Sequence, residues 1–395
     1  MLKDSSYKAT KKIYLFFLFS SVASFFYAIV KQRYNGDFLG IQVELSYTIL
    51  TFNLILSLIP FFLIWIIYKK YKKKTKSGSV AIPLKFFGQF LFLLIVWNII
   101  VTIIYGVGVI AAPAYEAPPF IKIIIQILNR FNYSYGFFLY ILLTPKKNKT
   151  QFYLLFLIIV LSFLRAGLGV FFYLTMLFFL KYYDEVLLLI KKNKSFFLMT
   201  LVVTPLFISF LFEIRSELRN QEKENLSPTE FVFGRLIGRF SSFSNSAIIL
   251  QNSSYFFINA QTLDDYYFQK QALGGVLSQN LIPKNRPESM LYQLYGFSEI
   301  DNISYMCGTQ GNLYISLMKS FKTLIINVIS ILTMIFLTFY LARKLRFVYK
   351  NEFAFILLSY VLLSGVANEY LFLVYSLFVF VVMFVVLNSL KNNIK

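Results

Sequence analysis

Ten stretches of apolar sequence, with Lys and Arg gathered at alternate ends, constrain this chain more than any other feature. Each stretch approaches the length of about 20 residues that an α-helix needs to cross the hydrocarbon core of a bilayer. They lie at about 13–30, 47–68, 86–111, 120–143, 151–164, 168–183, 195–212, 321–342, 353–367 and 370–388. A soluble chain of 395 residues has too little interior to bury a composition that is 58% hydrophobic. We therefore expect an integral membrane protein.

The distribution of Lys and Arg predicts how these stretches are oriented. Basic clusters follow the second, fourth, sixth and eighth stretches, and they include Lys69, Lys146, Lys191 and Arg343. Short loops rich in Lys and Arg stay on the cytoplasmic side of a membrane, so these clusters place both termini in the cytoplasm. The formal charge of +21 then reflects topology and contact with anionic membrane lipids, and we expect no nucleic-acid partner.

One long segment lies between the stretches, and it faces away from the cytoplasm in this topology. It covers about 213–318 and separates a membrane region of seven spans, 1–212, from one of three spans, 319–395. Its composition predicts an ordered outward loop with helices, the clearest being an amphipathic helix at 229–250. We therefore predict an all-α polytopic fold of about ten transmembrane helices. Chemistry at its outer face has no access to ATP or nucleotide sugars.

Cysteine and histidine usage excludes several kinds of site. The chain has one cysteine, Cys307, and no histidine. A disulfide within the chain is impossible, and zinc, haem and other Cys/His metal sites are excluded. Ser-His and Cys-His catalytic pairs are excluded as well. We predict that no metal or cofactor takes part, so that proton transfer falls to Asp, Glu, Tyr, Lys or the substrate.

Arg165 is the first candidate site residue, because it lies between the short stretches 151–164 and 168–183. A bare guanidinium within apolar sequence is costly, and it usually has a partner or binds a ligand. Gly167 and Gly169 would let the backbone bend or another group come close. Two interpretations remain open: Arg165 binds an anion, or its side chain extends to the outer interface of the bilayer.

Arg235 and Arg239 are four residues apart and share one face of the helix predicted at 229–250. No Asp or Glu lies three or four residues from either arginine. The pair would therefore suit a diphosphate, whose oxygens accept bidentate hydrogen bonds from guanidinium groups. Alternatively, this basic face rests on anionic lipid headgroups.

Carboxylates of the outward loop are candidates for proton transfer. Those in its second half are Asp264, Asp265, Glu288, Glu299 and Asp301. A glycosyl transfer needs a group that takes the proton from the attacking hydroxyl, and a carboxylate serves this purpose. Any one of them taken alone is more often a solvated surface acid. The aromatic residues of the loop, among them Tyr292 and Tyr305, either stack on sugar rings or pack the loop.

Three local patterns resemble those of one family. Leu164-Arg165-Ala166-Gly167 is similar to a Ser-Arg-Gly-type element at an outer helix end, with Leu164 in place of the serine. Gly238-Arg239-Phe240-Ser241-Ser242-Phe243-Ser244-Asn245 is similar to the stretch that opens the outer domain, and Gly311-Asn312-Leu313-Tyr314 to the glycine-rich start of the next span. The number of predicted spans and the position of the outward loop late in the chain add to these patterns. Together they resemble the Wzy-type polymerases of O-antigen and capsule repeat units, which are membrane glycosyltransferases.

This resemblance implies a GT-C-like fold in the bacterial plasma membrane and a substrate held on undecaprenyl diphosphate. A growing glycan would leave its lipid carrier and join one more lipid-linked repeat unit. The implied partners are a chain-length regulator and a flippase. The implied catalytic residues are Arg165, Arg235, Arg239, Asp265 and Glu299, and the implied substrate-binding residues are Arg215, Arg286, Asn245, Tyr292 and Tyr305. The arginines would neutralise the diphosphate that leaves, and a carboxylate or a tyrosine would take the proton.

Other functions remain as alternatives. The O-antigen ligases share a similar architecture but typically carry a functional histidine in the outer loop, which this chain lacks. A lipid-linked oligosaccharide flippase or polysaccharide transporter would need charged residues along several spans, and these stretches are nearly free of charge apart from Lys122, Arg130 and Arg165. A non-enzymatic assembly scaffold is the third alternative.

Overall fold

The computed structural model describes residues 2–73, 78–109, 116–145, 148–165, 167, 169–195, 199, 230–277, 279–295 and 306–393. These residues are mainly α-helical, and the β-structure among them is limited to two isolated bridges. In chain order the helices are α1 (Leu2–Lys31), α2 (Tyr47–Lys73), α3 (Leu84–Tyr105), α4 (Pro119–Leu128), α5 (Tyr133–Leu143), α6 (Lys149–Leu164), α7 (Gly169–Lys181), α8 (Tyr183–Lys192), α9 (Phe243–Gln251), α10 (Ser253–Ala260), α11 (Tyr267–Val276), α12 (Pro287–Leu294), α13 (Gly308–Lys319), α14 (Phe321–Lys344), α15 (Lys350–Ser364) and α16 (Ala367–Asn393). The expectation of an α-helical membrane protein is confirmed.

Five helices in this part of the chain, α1, α2, α3, α14 and α16, are long and apolar enough to cross a membrane. α6 and α7 are apolar but only 16 and 13 residues long, and α15 has 15 residues. At about 1.5 Å per residue each is shorter than a hydrocarbon core of about 30 Å. The count of ten spans therefore stays a prediction. Most of its seventh stretch, 195–212, lies outside the described residues.

The stretch 120–143, predicted as one span, forms two helices. Because of Lys122 and Arg130, the sequence is also compatible with a segment 120–130 that lies at the membrane interface before the chain enters the membrane. α4 ends at Leu128 and α5 begins at Tyr133, so 129–132 forms a break between them. The side chain of Asn132 stabilises the start of α5, because its Oδ1 accepts a hydrogen bond of 3.0 Å from the Tyr135 backbone N–H. Apolar periodicity runs through both helices and gives no sign of this cap.

The helix ends that charge assigns to the cytoplasm meet in one cluster. Lys72 Nζ at the end of α2 forms an ion pair of 3.0 Å with Glu352 Oε1 at the start of α15. The hydroxyls of Ser6 on α1 and Tyr68 on α2 each donate to the same carboxylate oxygen at 3.1 Å. We call Ser6, Tyr68, Lys72 and Glu352 the inner cluster. It joins three helices through one buried carboxylate.

The prediction of a single amphipathic helix at 229–250 is wrong. A π-helical turn covers Phe231–Leu236, a 3-10 turn covers Ile237–Phe240, and the α-helix begins only at Phe243. The cause is a close backbone contact, since a Cβ at Gly238 would collide with the backbone of Gly36 in the loop after α1. Gly36 has φ +74°, a left-handed conformation that suits glycine. The loop after α1 therefore occupies the space that a regular helix would need.

Helices of the predicted outward loop insert between the long helices. Asn53 of α2 is fully buried, and its Oδ1 accepts from Ser246 on α9 at 2.8 Å and from Tyr314 on α13 at 3.0 Å. Its Nδ2 donates to the Phe243 carbonyl at 3.0 Å. Asn53 lies about 9 Å along α2 from its first residue, Tyr47, which is the outward end of the helix in the predicted topology. α9 and α13 therefore contribute to the core of the bundle.

Candidate functional site

Arg165 directly follows α6 and binds two other helices through all three of its nitrogen atoms. Nε donates to Thr102 Oγ1 at 3.0 Å and Nη2 donates to Asn98 Oδ1 at 2.8 Å, both on α3. Nη1 donates to the Tyr133 hydroxyl at 2.9 Å, at the start of α5. All three acceptors are neutral, and no carboxylate in the described part of the chain forms an ion pair with Arg165.

The partners of Arg165 are oriented by hydrogen bonds of their own. Asn98 Nδ2 donates to the Leu94 carbonyl at 2.8 Å, which turns its amide oxygen toward the guanidinium. Thr102 Oγ1 donates its proton to the Val107 carbonyl at 2.9 Å, which leaves a lone pair for Arg165. Both side chains are buried. These hydrogen bonds hold Asn98 and Thr102 in place, and the two side chains in turn fix the orientation of the guanidinium.

Space for the guanidinium comes from the end of α3. Gly108 has φ +77°, and a Cβ at this position would lie 3.0 Å from Arg165 Cζ. The Arg165 guanidinium also lies 5.4 Å from the centroid of the Tyr133 ring. A guanidinium carries five N–H groups, of which three bind protein, so two remain for a ligand. The Tyr133 hydroxyl only accepts among the described contacts, which leaves its proton for the same ligand. We call Asn98, Thr102, Tyr133 and Arg165 the Arg165 site.

Arg235 and Arg239 lie together, as expected, but not as a bare cationic pair. Arg239 Nη2 forms an ion pair of 2.7 Å with Asp37 Oδ1, and Arg235 Nη1 donates to the Gly36 carbonyl at 2.9 Å. Asp37 comes from the loop after α1, about 200 residues away in sequence. The sequence has no Asp or Glu three or four residues from the pair, but such spacing reports only partners on the same helix, and Asp37 reaches the pair from another segment.

A row of aromatic rings joins the turn that carries Arg239 to the first turn of α5. Phe240 stacks on Phe172 at 4.8 Å between ring centroids, and Phe172 lies 5.7 Å from Tyr360. Tyr360 lies 4.8 Å from Tyr173, which lies 6.2 Å from Tyr135. Tyr135 is two residues from Tyr133 of the Arg165 site. The row forms an apolar wall with phenol groups between the two arginine-bearing regions.

Glu369 is a candidate that sequence reasoning missed beyond its place at an outer turn. It lies in the first turn of α16, is half-buried, and accepts a short hydrogen bond from the Ser364 hydroxyl. Its charge lies within electrostatic range of the phenols of Tyr135 and Tyr173. No cation in the described part of the chain pairs with it. The signal in the sequence was a lone carboxylate between two apolar stretches, which is itself a mark of function.

The expected carboxylates of the outward loop lie in other surroundings. Asp265 forms an ion pair of 3.1 Å with Lys322, and its neighbour Asp264 forms one with Lys270 at 2.5 Å. The hydrogen bond from Lys270 holds the pKa of the Asp264 carboxyl below its ordinary value. Both are surface ion pairs. Glu299 lies outside the described residues.

Glu288 is the buried acid of this segment. It accepts a hydrogen bond of 3.2 Å from Gln271 through Oε1, while Oε2 has no partner. Burial raises the pKa of the Glu288 carboxyl above its ordinary value. Arg286, two residues earlier, caps α12 with its backbone N–H bonded to Ser289 Oγ at 2.9 Å. Tyr292 is half-buried on the same helix.

Of the remaining expected residues, Asn245 is buried on α9 and donates from Nδ2 to the Met306 carbonyl, just before α13. This contact ties two inserted helices together. Arg215 and Tyr305 lie outside the described residues. Among the residues that the structure describes, no group of three or more acidic or cysteine side chains is placed to hold a metal ion.

No protein-family model matches the chain, and no curated protein or solved structure is significantly similar to it.

Proposed function

We propose that this protein polymerises oligosaccharide repeat units linked to undecaprenyl diphosphate, at the outer face of the bacterial plasma membrane. The observation that carries the proposal is the Arg165 site. It presents a cation that is held rigidly by neutral groups, with two N–H groups and a phenol proton left for an anion. A diphosphate is the anion whose oxygens suit such a set of donors.

The proposed topology has ten spans, with both termini in the cytoplasm and 213–318 outside. This topology is supported by the inner cluster, where the start of α1, the end of α2 and the start of α15 come together, because all three are predicted to be cytoplasmic. In this orientation the Arg165 site belongs to the outer half of the bundle, because Asn98 and Thr102 lie near the outward end of α3. Substrate would reach it from the outer leaflet.

The proposed reaction is a single displacement at the anomeric carbon of the growing chain. A hydroxyl of the incoming unit forms the new C–O bond as the bond from carbon to the diphosphate breaks. The electron pair of the broken bond leaves with the diphosphate, whose added charge the fixed donors of Arg165 and Tyr133 stabilise. The hydroxyl proton passes to a carboxylate.

We assign Glu369 as the carboxylate that accepts this proton. It is partly exposed, and its hydrogen-bond partner among the described residues is the Ser364 hydroxyl. Its charge acts on the phenol of Tyr135, which lies in the first turn of α5 together with Tyr133 of the Arg165 site. Asp265 would first have to leave Lys322. Arg235 and Arg239 would position the loop after α1 over the site.

The test is glycan length in a deletion strain that is complemented with wild-type protein or with Arg165→Ala. We expect the deletion to leave single repeat units on the acceptor and Arg165→Ala to reproduce this at a normal protein level. Arg165→Lys should recover little, since an ammonium has three N–H groups and would have none left for the diphosphate if it bonded Asn98, Thr102 and Tyr133. Lys122→Ala is the matched control, because Lys122 is an exposed cation on α4.

Two outcomes would count against the proposal. If the deletion removes even the single repeat unit, export or ligation is the better assignment. If Arg165→Ala polymerises as well as Lys122→Ala does, the Arg165 site is not the diphosphate site.

A further inference from the structure

The break between α4 and α5 lies at the depth of the apolar layer. Phe131, within the break, packs against Phe90 of α3 with ring centroids 5.3 Å apart. Phe90 precedes the outward end of α3 by 15 residues, or about 22 Å of a helix of about 33 Å. Non-helical backbone at such a depth occurs only where it is buried in protein or lines a cavity.

The break does line a cavity. A groove of about 390 Å³ lies between α4 and α16, and its walls include Ile123, Ile127, Arg130, Phe131, Tyr375 and Val379. Ile123 and Ile127 are 55% and 57% exposed, so the groove adjoins an apolar surface that faces lipid in the proposed topology. Its volume lies near the lower end of the range of about 300–1,000 Å³ for small-ligand sites.

Arg130 gives this apolar groove one positive charge. Its Nη2 donates to the Leu277 carbonyl at 3.2 Å, and no carboxylate of the described residues forms an ion pair with it. An arginine at membrane depth without a counterion is costly, and its usual explanation is a ligand. One cation at a groove that is otherwise mainly apolar, with Gln126 and Tyr375 as its other polar side chains, matches an amphiphile with a phosphate group and one hydrocarbon chain.

We propose that the groove binds the polyprenyl chain of the diphosphate-linked substrate, with a phosphate on Arg130. The proposal rests on the proposed function and adds the place where the lipid carrier docks. Tyr133, which binds Arg165, follows Arg130 by three residues. The break therefore connects the groove to the Arg165 site, and a lipid diphosphate in the groove lies next to the reacting centre. This closeness to the Arg165 site favours the lipid-linked substrate over bulk phospholipid as the occupant of the groove.

The test uses the full-length protein in nanodiscs and a polyprenyl diphosphate whose chain carries a photoreactive diazirine. After irradiation, we expect mass spectrometry to find adducts on 119–131 and 367–393. Arg130→Gln should reduce labelling about tenfold, the worth of a charge-assisted hydrogen bond to phosphate. Val379→Trp should reduce it by filling the groove. Lys122→Gln, which removes an exposed cation on the same helix, should leave labelling unchanged.

Adducts on other segments, or equal competition by excess phosphatidylglycerol, would overturn the proposal, since the latter means that the groove takes bulk phospholipid. Thermal unfolding in detergent shows whether Arg130→Gln and Val379→Trp remain folded. Because labelling measures binding alone, Arg165→Ala should still label the groove although it no longer polymerises. A failure of the groove and a failure of the polymerase assignment are therefore separate results.

Discussion

Buried charge is arranged differently at the two ends of the bundle, which are the inner and the outer end in the proposed topology. At the inner end, Glu352 is paired with Lys72 and accepts two further hydroxyl protons. At the outer end, Arg165 is a cation without a carboxylate and Glu369 is a carboxylate without a cation, among the described contacts. A matched cluster holds helices together, whereas separated charges keep their capacity to bind or to take a proton.

A second cation sharpens this comparison. Lys181, at the inner end of α7, is also held by neutral groups, since its Nζ donates to the Ile141 carbonyl at 2.6 Å and to Gln151 Oε1 at 2.9 Å. The positive-inside rule accounts for a lysine at that end. The same rule disfavours an arginine at the outer end, so Arg165 needs another explanation. Neutral acceptors around a cation are therefore not by themselves evidence of a site, and the case for Arg165 also depends on its outer position in the proposed topology.

The largest expected effect is that of Glu369→Gln. Glutamine keeps the shape and can still accept from Ser364, yet it cannot take the proton of an attacking hydroxyl. We expect turnover of lipid-linked units by purified protein to fall by about 10²–10⁴-fold, the usual contribution of a general base. Substrate binding and thermal unfolding should change little. Ser364→Ala is the control that removes the hydrogen bond but keeps the carboxylate.

If Glu369→Gln turns over at the wild-type rate, the carboxylate is structural and the contrast between the two ends loses half of its support. In that case Glu288, whose Oε2 lacks a partner, becomes the next candidate base.

A smaller and opposite effect is expected from Glu352→Gln in the inner cluster. The substitution removes the negative charge that faces Lys72 and leaves it with neutral acceptors, which are the new amide oxygen and the hydroxyls of Ser6 and Tyr68 at 3.2 Å each. Because Lys72 is 22% exposed, water compensates in part, and we expect a loss of about 2 kcal/mol of stability. The measurement is thermal unfolding in detergent, with turnover per folded molecule unchanged. Loss of turnover at normal stability would contradict the assignment of matched charge to structure.

Charge and apolar patterning predicted the class of fold well, because helices in lipid must satisfy their backbones internally and be apolar outside. They singled out Arg165 as a candidate because a lone arginine stands out among Leu and Phe, and its role stays a prediction. They could not predict Asp37 beside Arg239, since that pair depends on a close backbone contact between Gly36 and Gly238. The break at Asn132 could not be predicted either, because a single capping hydrogen bond marks it within a continuous apolar run.

The smallest expected effect concerns Arg239. This arginine combines the two kinds of charge compared above, because it lies on the outer side in the proposed topology and yet pairs with Asp37. The pair is partly exposed, with 30% and 19% of the side chains accessible, so its loss should cost no more than about 1 kcal/mol. Asp37→Asn separates two roles. If Arg239 only holds the loop after α1, Asp37→Asn and Arg239→Ala should shorten the glycan equally.

If Arg239 instead binds diphosphate, Asp37→Asn frees the guanidinium and should leave polymerisation intact or improved, while Arg239→Ala impairs it. We expect the first result, a modest and equal shortening, because Asp37 already occupies the face that a phosphate would need. The glycan length distribution of the two strains decides between them. The second result would mean that Arg239, like Arg165 and Glu369, acts on the substrate. Part of the site would then lie at the turn before α9.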